Sequence, residues 1–235
     1  MVPGTQGERM QLVVRKGRNM IQAVIFDMDG TLVDSETVST KAWHKTAATM
    51  GIDVPDSLIR ALIGLNAVLG KQVIAEHFNG DTDLAERAFN MHMDIFLEIA
   101  STELELMPSA RECLQELQAA GYPLALATST HRIRAVPRLE RFGLESMFAT
   151  LTCGNEVERS KPEPDIFLAA AKSLGVEPAR CAVVEDSFNG VRAGHAAGMH
   201  TFMIPDQVEP TAEIAALCTA VLPSLAELPA AIAEL

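Results

Sequence analysis

Between residues 21 and 205 the chain alternates short apolar runs with longer stretches whose apolar positions recur at helical spacing. The runs are Ala23–Phe26, Pro123–Ala127, Phe148–Thr152, Cys181–Val184 and Thr201–Ile204. Apolar on both faces, they suit strands covered by helices on either side, as in a parallel sheet. Helices are predicted over 109–120, 131–141, 164–174 and 188–197. Gly121, Gly143, Gly175 and Gly198 stand just past those ends, where a left-handed residue closes a helix. This alternation predicts an α/β fold: a doubly wound, Rossmann-like parallel sheet of about five strands.

One interval breaks the rhythm. Residues 35–105 show no strand pattern, and helical periodicity runs through 36–50, 56–63, 67–78 and 82–100. A single crossover helix needs far less chain. The interval therefore reads as an inserted helical-bundle cap domain at 35–105, with the α/β core at 21–34 and 106–235 and both connections near residues 34 and 106. Entering directly after the first strand, the insert would sit over whatever that strand's end carries.

Composition narrows the function classes. The net charge is −12 and the basic residues are scattered, which disfavours nucleic acid and anionic membrane as partners. No apolar stretch reaches the roughly 18–20 residues of a membrane span. In residues 1–20, Arg15, Lys16 and Arg18 follow the apolar patch Leu12-Val13-Val14, the reverse of a secretory signal, and a poorly ordered tail is expected. The four cysteines lie far apart with no C-x-x-C pair, as buried thiols of a reducing, cytoplasmic compartment would. The six histidines form no ligand set and read as surface or structural groups, and Trp43 reads as packing. A monomer is the default expectation.

The strongest chemical signal is Asp27-Met28-Asp29-Gly30-Thr31-Leu32-Val33-Asp34. Two carboxylates two residues apart, just past an apolar strand, project into the crevice where open α/β sheets bind ligands. Gly30 lets the chain turn sharply and permits close approach. D-x-D-G-T arises by chance in such a chain with a probability on the order of a few in a thousand. Other candidates are weaker taken singly. Thr128, Ser129 or Thr130 could merely cap the helix near 131, Lys161 could be a solvated loop residue, and Asp186 could cap the helix at 188.

Together these segments resemble the four motifs of the haloacid dehalogenase superfamily. The octapeptide is similar to the first, Thr128 at the end of Leu126-Ala127-Thr128 to the second, Lys161 in Ser160-Lys161-Pro162 to the third, and Glu185-Asp186 after Val183-Val184 to the fourth. The likeness spans residues 21 to about 205 and is greatest to the helical-cap branch that includes β-phosphoglucomutase, phosphoglycolate phosphatase and sugar-phosphate phosphatases. It implies a sheet order of 5-4-1-2-3. It also implies Asp27 as nucleophile, forming a phospho-aspartyl intermediate, and Asp29 as general acid and then base. Asp27, Asp186 and the Asp29 backbone carbonyl, assisted by Glu185, would hold Mg²⁺ in an all-oxygen site. Thr128, Ser129 and Lys161 would hold the phosphoryl oxygens.

Asp29 disfavours the dehalogenases proper and the phosphonoacetaldehyde hydrolases, which lack that acid. The nearer rival is a phosphosugar mutase. Enzymes resembling β-phosphoglucomutase carry a His four residues before a cap Trp and an Arg after a cap turn, where this chain has Ser39 and Ala67, and no second cap Lys is evident near Phe96. The expectation is a Mg²⁺-dependent phosphatase of a small phosphorylated metabolite, sugar phosphate or phospho-acid, with a mutase and a catalytically silent binding module as alternatives. His44, Lys45, Asn66 and Lys71 are the candidate substrate contacts from the cap.

Overall fold

A computed structural model describes residues 21–235; the expected tail at 1–20 lies outside the described residues. Strand β1 (Ala23–Phe26) is followed by four helices, α1 (Ser35–Met50), α2 (Asp56–Leu62), α3 (Ala67–His77) and α4 (Thr82–Glu103). Then come α5 (Ala110–Ala119), β2 (Leu124–Thr128), α6 (Arg132–Arg141), β3 (Thr150–Cys153), α7 (Asp165–Leu174), β4 (Cys181–Glu185) and α8 (Phe188–Ala196). The chain ends with β5 (His200–Met203), α9 (Ala212–Leu217), β6 (Ala220–Val221) and α10 (Leu228–Ala233).

All strands are parallel, in the order β3-β2-β1-β4-β5-β6. The expected order is present, but the sheet has six strands rather than about five. The addition is β6, whose two residues pair Ala220 with Phe202 and Val221 with Met203. Two partly exposed residues carry no periodicity, so this strand exists only through its neighbour.

The apolar runs work as the period of two requires. Val24, Phe26, Leu124, Leu126, Ala182 and Val184 point to one face and join Cys113, Leu114 and Leu117 of α5 in a single cluster. Ala23, Ile25, Ala125, Ala127, Cys181 and Val183 point to the other and meet Ile166, Phe167, Ala170 and Ala171 of α7. Strands buried on both faces must be apolar throughout, which is why they read as runs and not as alternations.

Helices α1, α3 and α4 begin where their side-chain caps dictate, while α2 follows Pro55 without one. Asp34 Oδ1 accepts from Thr37 N at 3.1 Å, Asn66 Oδ1 from Val68 N and Leu69 N, and Asp81 Oδ1 from Leu84 N. Trp43, Leu58, Ile59, Ile74, Ala85 and Ala88 pack into a cluster of their own, while Val38, Ala42, Ile95 and Phe96 join the cluster on the sheet. The chain leaves the sheet and returns to it side by side: Asp34 N donates to Glu105 O, and Met107 N to Leu32 O, each at 3.0 Å.

Candidate active site

Strand β1 lies between β2 and β4, at the point where the connections turn to opposite sides of the sheet, and a crevice opens there at the carboxyl ends. Into it project Asp27 just past β1, Thr128 ending β2, and Glu185 and Asp186 at the end of β4. Lys161 reaches in from the segment between β3 and α7. All five side chains are buried. Lys161 Nζ lies 2.5 Å from both Asp27 Oδ1 and Glu185 Oε1, and donates to Ala127 O at 3.2 Å.

The alternative roles left open by single spacings are decided by geometry. None of the three hydroxyls caps α6: the residue before it is His131, and Asn155 Oδ1 accepts from Arg132 N in its first turn. Thr128 Oγ1 instead accepts from Thr130 N at 3.1 Å. Ser187, not Asp186, caps α8, its hydroxyl accepting from Gly190 N at 3.0 Å. Asp186 receives the Thr31 hydroxyl at 3.0 Å. Lys161 is buried among carboxylates and is no solvated loop residue.

Close approach explains two glycines. Gly30 has φ +81° and a Cβ there would lie 2.3 Å from Asp186 Oδ2. A Cβ on Gly190 would lie 1.8 Å from Glu185 Cδ. Both positions must lack a side chain for the carboxylates to converge.

Electrostatics gives the cluster its character. Asp27, Glu185 and Asp186 each place an oxygen within 4.8 Å of the others. Burial, with Glu185 and Asp29 adding to it against Lys161, pushes Asp27 up to about 8. Burial raises Asp186 too, with Glu185, Asp27 and Glu36 contributing. Burial disfavours the Lys161 ammonium, but the Asp27 and Glu185 carboxylates outweigh it and raise its hold on the proton. Three buried carboxylates facing one ammonium leave an excess of negative charge that protons or a divalent cation must balance. An all-oxygen donor set fits a hard cation such as Mg²⁺.

Asp29 stands apart from that group. Its Oδ2 accepts from the Thr130 hydroxyl at 2.7 Å and its Oδ1 from Arg138 Nη1 at 2.6 Å. The Arg138 guanidinium also lies 5.0 Å from the Phe96 ring centre, so one side chain of α6 touches both the acid and α4. Sequence reasoning passed over Arg138. Its signal was the arginine-rich face of α6, with Arg134 and Arg138 four residues apart, which a solvated helix would equally show.

A cavity of about 510 Å³ lies between these residues and the helices α1–α4, enough for a phosphoryl group with a small metabolite attached. Thr128, Ser129, Lys161 and Asn66 line it. Asn66 Nδ2 also donates to the Ser160 hydroxyl at 3.2 Å. The other three cap candidates do not line it. His44 meets Asp56 in a hydrogen bond, and Lys45 meets Glu98 and Lys71 meets Glu86 in ion pairs. The part of α1 that does line it lies earlier and on another face: Glu36, Ser39 and Trp43. His92 of α4 lines it too, buried and stacked on Trp43 with ring centres 4.1 Å apart. No lysine or arginine of residues 35–105 lines the cavity; its arginines, Arg134 and Arg138, both come from α6.

Comparison with known proteins places the chain in a family. A family model described as haloacid dehalogenase-like hydrolase matches residues 21–198. The phosphorylated carbohydrates phosphatase of Thermotoga maritima is 34% identical, over 76% of this chain and 82% of that protein. Hexitol phosphatase A of Escherichia coli is 34% identical, over 77% and 81%. The crystal structure of β-phosphoglucomutase from Clostridium difficile superposes with a TM-score of 0.74 over 92% of this chain and 98% of that one, and at 23% identity it speaks for the fold alone. Matched along most of its described length, with its motif residues converging in one crevice, the chain belongs to the haloacid dehalogenase-like hydrolase family.

Proposed function

We propose that the protein is a Mg²⁺-dependent phosphatase that hydrolyses a small phosphorylated metabolite through a phospho-aspartyl intermediate on Asp27. The observation that carries this is the convergence on Asp27 of Lys161 at 2.5 Å and of Glu185 and Asp186 within 4.8 Å, with a second carboxylate two residues along. The named relatives that are phosphatases support it.

In this reading a carboxylate oxygen of Asp27 attacks phosphorus and the bond to the leaving oxygen breaks. Asp29 gives its proton to that oxygen, then takes one from the water that attacks the phosphoenzyme and frees Asp27 and inorganic phosphate. Thr128, Ser129 and Lys161 hold the phosphoryl oxygens. Asp27, Asp186 and Glu185, with the Asp29 backbone carbonyl, would hold Mg²⁺, which offsets the repulsion between nucleophile and phosphate when bound. Arg138, which holds Asp29 Oδ1 at 2.6 Å, must release it for that carboxyl to reach the leaving oxygen. We assign residues 35–105 as the cap and 21–34 with 106–235 as the core, the two connections beside Asp34 and Glu105 serving as its hinge. Buried free thiols at Cys113, Cys153 and Cys181 suit a cytoplasmic location, and no described helix is long and apolar enough to cross a membrane.

A mutase is the second reading, favoured by one observation: Arg138 puts a cation beside Phe96, where the cap itself offers none. That cation is already paired with Asp29, so it is not free to hold a second phosphate. The test is phosphate release from phosphorylated sugars, sugar acids and nucleotides, with Mg²⁺ and with chelator, beside Asp27→Asn. Asp27→Asn should lower release at least about a thousandfold, since nothing replaces a missing nucleophile. Conversion of β-glucose 1-phosphate to the 6-phosphate without release would establish the mutase instead.

A further inference from the structure

We propose that Arg138 is a positioning residue that withholds Asp29 from the leaving oxygen until an acceptor on the leaving group draws its guanidinium away. The inference rests on the phosphatase reading and adds to it a partner exchange that precedes the first half-reaction.

Asp29 is held at both of its oxygens. Oδ1 accepts from Arg138 Nη1 at 2.6 Å and Oδ2 from the Thr130 hydroxyl at 2.7 Å. Thr130 stands just before α6 and Arg138 lies within it, so the two bonds turn the carboxyl toward that helix. A carboxyl pinned at both oxygens cannot swing to a leaving oxygen until one bond breaks.

The bond from Arg138 is the one suited to exchange. Arg132 meets Glu156 through two nitrogens, as Arg159 meets Asp165, in the forked geometry that fixes a structural pair. Arg138 meets Asp29 through Nη1 alone, because Thr130 occupies the other oxygen. Its remaining N–H groups have no acceptor among the described residues, although the side chain is only 11% exposed and lines the cavity. Largely enclosed donors of this kind favour a ligand that supplies an acceptor. The guanidinium lies over the Phe96 ring, 5.0 Å from its centre, a surface along which it can shift and keep the attraction. Arg141, about one turn further along α6, donates to the carbonyls of Ala100 and Thr102 at the end of α4. That tie keeps the backbone of α6 in place while the tip of Arg138 moves.

The exchange is one for one. An acceptor on the leaving group takes Nη1, the bond to Asp29 Oδ1 breaks, and that oxygen turns to the leaving oxygen. The chemical step is unchanged: the bond from Asp27 to phosphorus forms, the bond to the leaving oxygen breaks, and Asp29 gives that oxygen its proton. Without a ligand acceptor, release of Asp29 leaves a largely enclosed guanidinium unpaired, which is costly. A hydroxyl, a carbonyl or a carboxylate can serve, so the device reads the presence of an acceptor and not the class of metabolite. When product and phosphate have left, Arg138 returns to Asp29, and it is therefore no standing subsite for a second phosphate.

The experiment compares kcat/KM of the full chain with Mg²⁺ on short alkyl phosphates that are plain or end in a hydroxyl or a carboxylate. This quantity reports the steps through departure of the leaving group. p-Nitrophenyl phosphate, whose leaving group departs without a proton, is the reference in each enzyme sample, so a loss from partial unfolding divides out. The wild type should favour the acceptor-ended ester over the plain one of equal length by about tenfold. Arg138→Met should remove most of that preference from both sides: plain esters gain relative to the reference because Asp29 is free, and acceptor-ended ones lose. Arg138→Lys, which keeps a cation beside Asp29, should restore most of it. Phe96→Leu leaves the atoms of the ion pair in place and should shift the ratio in the direction of Arg138→Met; it decides the matter if that variant does not fold. No preference in the wild type at any chain length, a preference that Arg138→Met leaves unchanged, or plain esters that lose relative to the reference in Arg138→Met overturns the inference and leaves the phosphatase reading standing. Absence of Mg²⁺-dependent release from every substrate, p-nitrophenyl phosphate included, overturns both.

Discussion

At the scale of single residues, neighbouring groups of one chemical type are given opposite characters by their surroundings. Asp27 is enclosed with two other carboxylates and Asp29 is held by an arginine and a hydroxyl, although only Met28 separates them. His92 shows the same principle away from the chemistry: burial lowers it from 6.5 to about 4, against a small opposing contribution from the Ser39 carbonyl. Its folded-state value is depressed, so the unfolded chain binds the proton first as pH falls through 6.5. Stability present above that value is then lost down to about pH 4, on the order of 3 kcal/mol if fully expressed. His92→Phe, which keeps the ring and removes the titration, should flatten this part of the pH profile of unfolding. Denaturant melts of both proteins at pH 7 and pH 5 measure it, and an unchanged difference between the two pH values would count against a buried neutral imidazole. Sequence reading placed this histidine among surface or structural groups, because a single imidazole in a helix carries no sign of what stacks on it.

At the scale of elements, the site depends on how closely α8 approaches the end of β4. Glu185 Oε2 accepts from Asp186 N, Ser187 N and the Ser187 hydroxyl while Oε1 faces Lys161, so the carboxylate is fixed at both ends. Gly190 leaves the space it occupies. Gly190→Ala puts a methyl group into that carboxylate, and Glu185, wholly buried, has nowhere to swing. The substitution favours the helix by propensity, yet it should destabilise the protein by about 1–3 kcal/mol through overpacking. Phosphatase activity should fall further than stability predicts, because Lys161 follows Glu185. A thermal melt together with kcat on the best substrate tests this; a more stable, fully active variant would show that the carboxylate is not held as described. The boundaries of the expected helices and strands were legible to within about three residues, since caps and apolar runs are local, while α9, β6 and α10 were not read from the sequence. The glycine's purpose was not, because its neighbour comes from the preceding strand and not from its own helix.

At the scale of the whole molecule, the folded state gathers three carboxylates around one ammonium, and protons or a divalent cation must balance the excess charge. Asp27 rises from 3.8 to about 8 on folding, so in chelator its contribution to stability is present below pH 4 and is lost as pH rises through 8. Mg²⁺ displaces the protons that take its place, and the cation should raise Tm more at pH 8.5 than at pH 6. Calorimetry with Mg²⁺ and with chelator at the two pH values gives the answer, and Asp186→Asn should shrink the increment at both. An increment independent of pH would argue that the cation binds elsewhere.

The sequence by itself determined the α/β class, the interruption after β1, and the motif residues Asp27, Asp29, Thr128, Lys161, Glu185 and Asp186. Each of these depends on local periodicity, or on a spacing that the strand geometry converts into a shared edge. Residues 1–20 stay outside what the structure describes. What only the tertiary structure decided involves partners distant along the chain: β6 added beside β5, Arg138 of α6 placed on Asp29, and His92 of α4 brought behind Ser39 of α1. The same holds for the face of α1 that borders the cavity. Periodicity marks α1 as a helix, but which of its sides meets the cavity depends on where α4 and the sheet pack against it. That packing turns Glu36 and Ser39 inward and leaves His44 and Lys45 at the surface against Asp56 and Glu98.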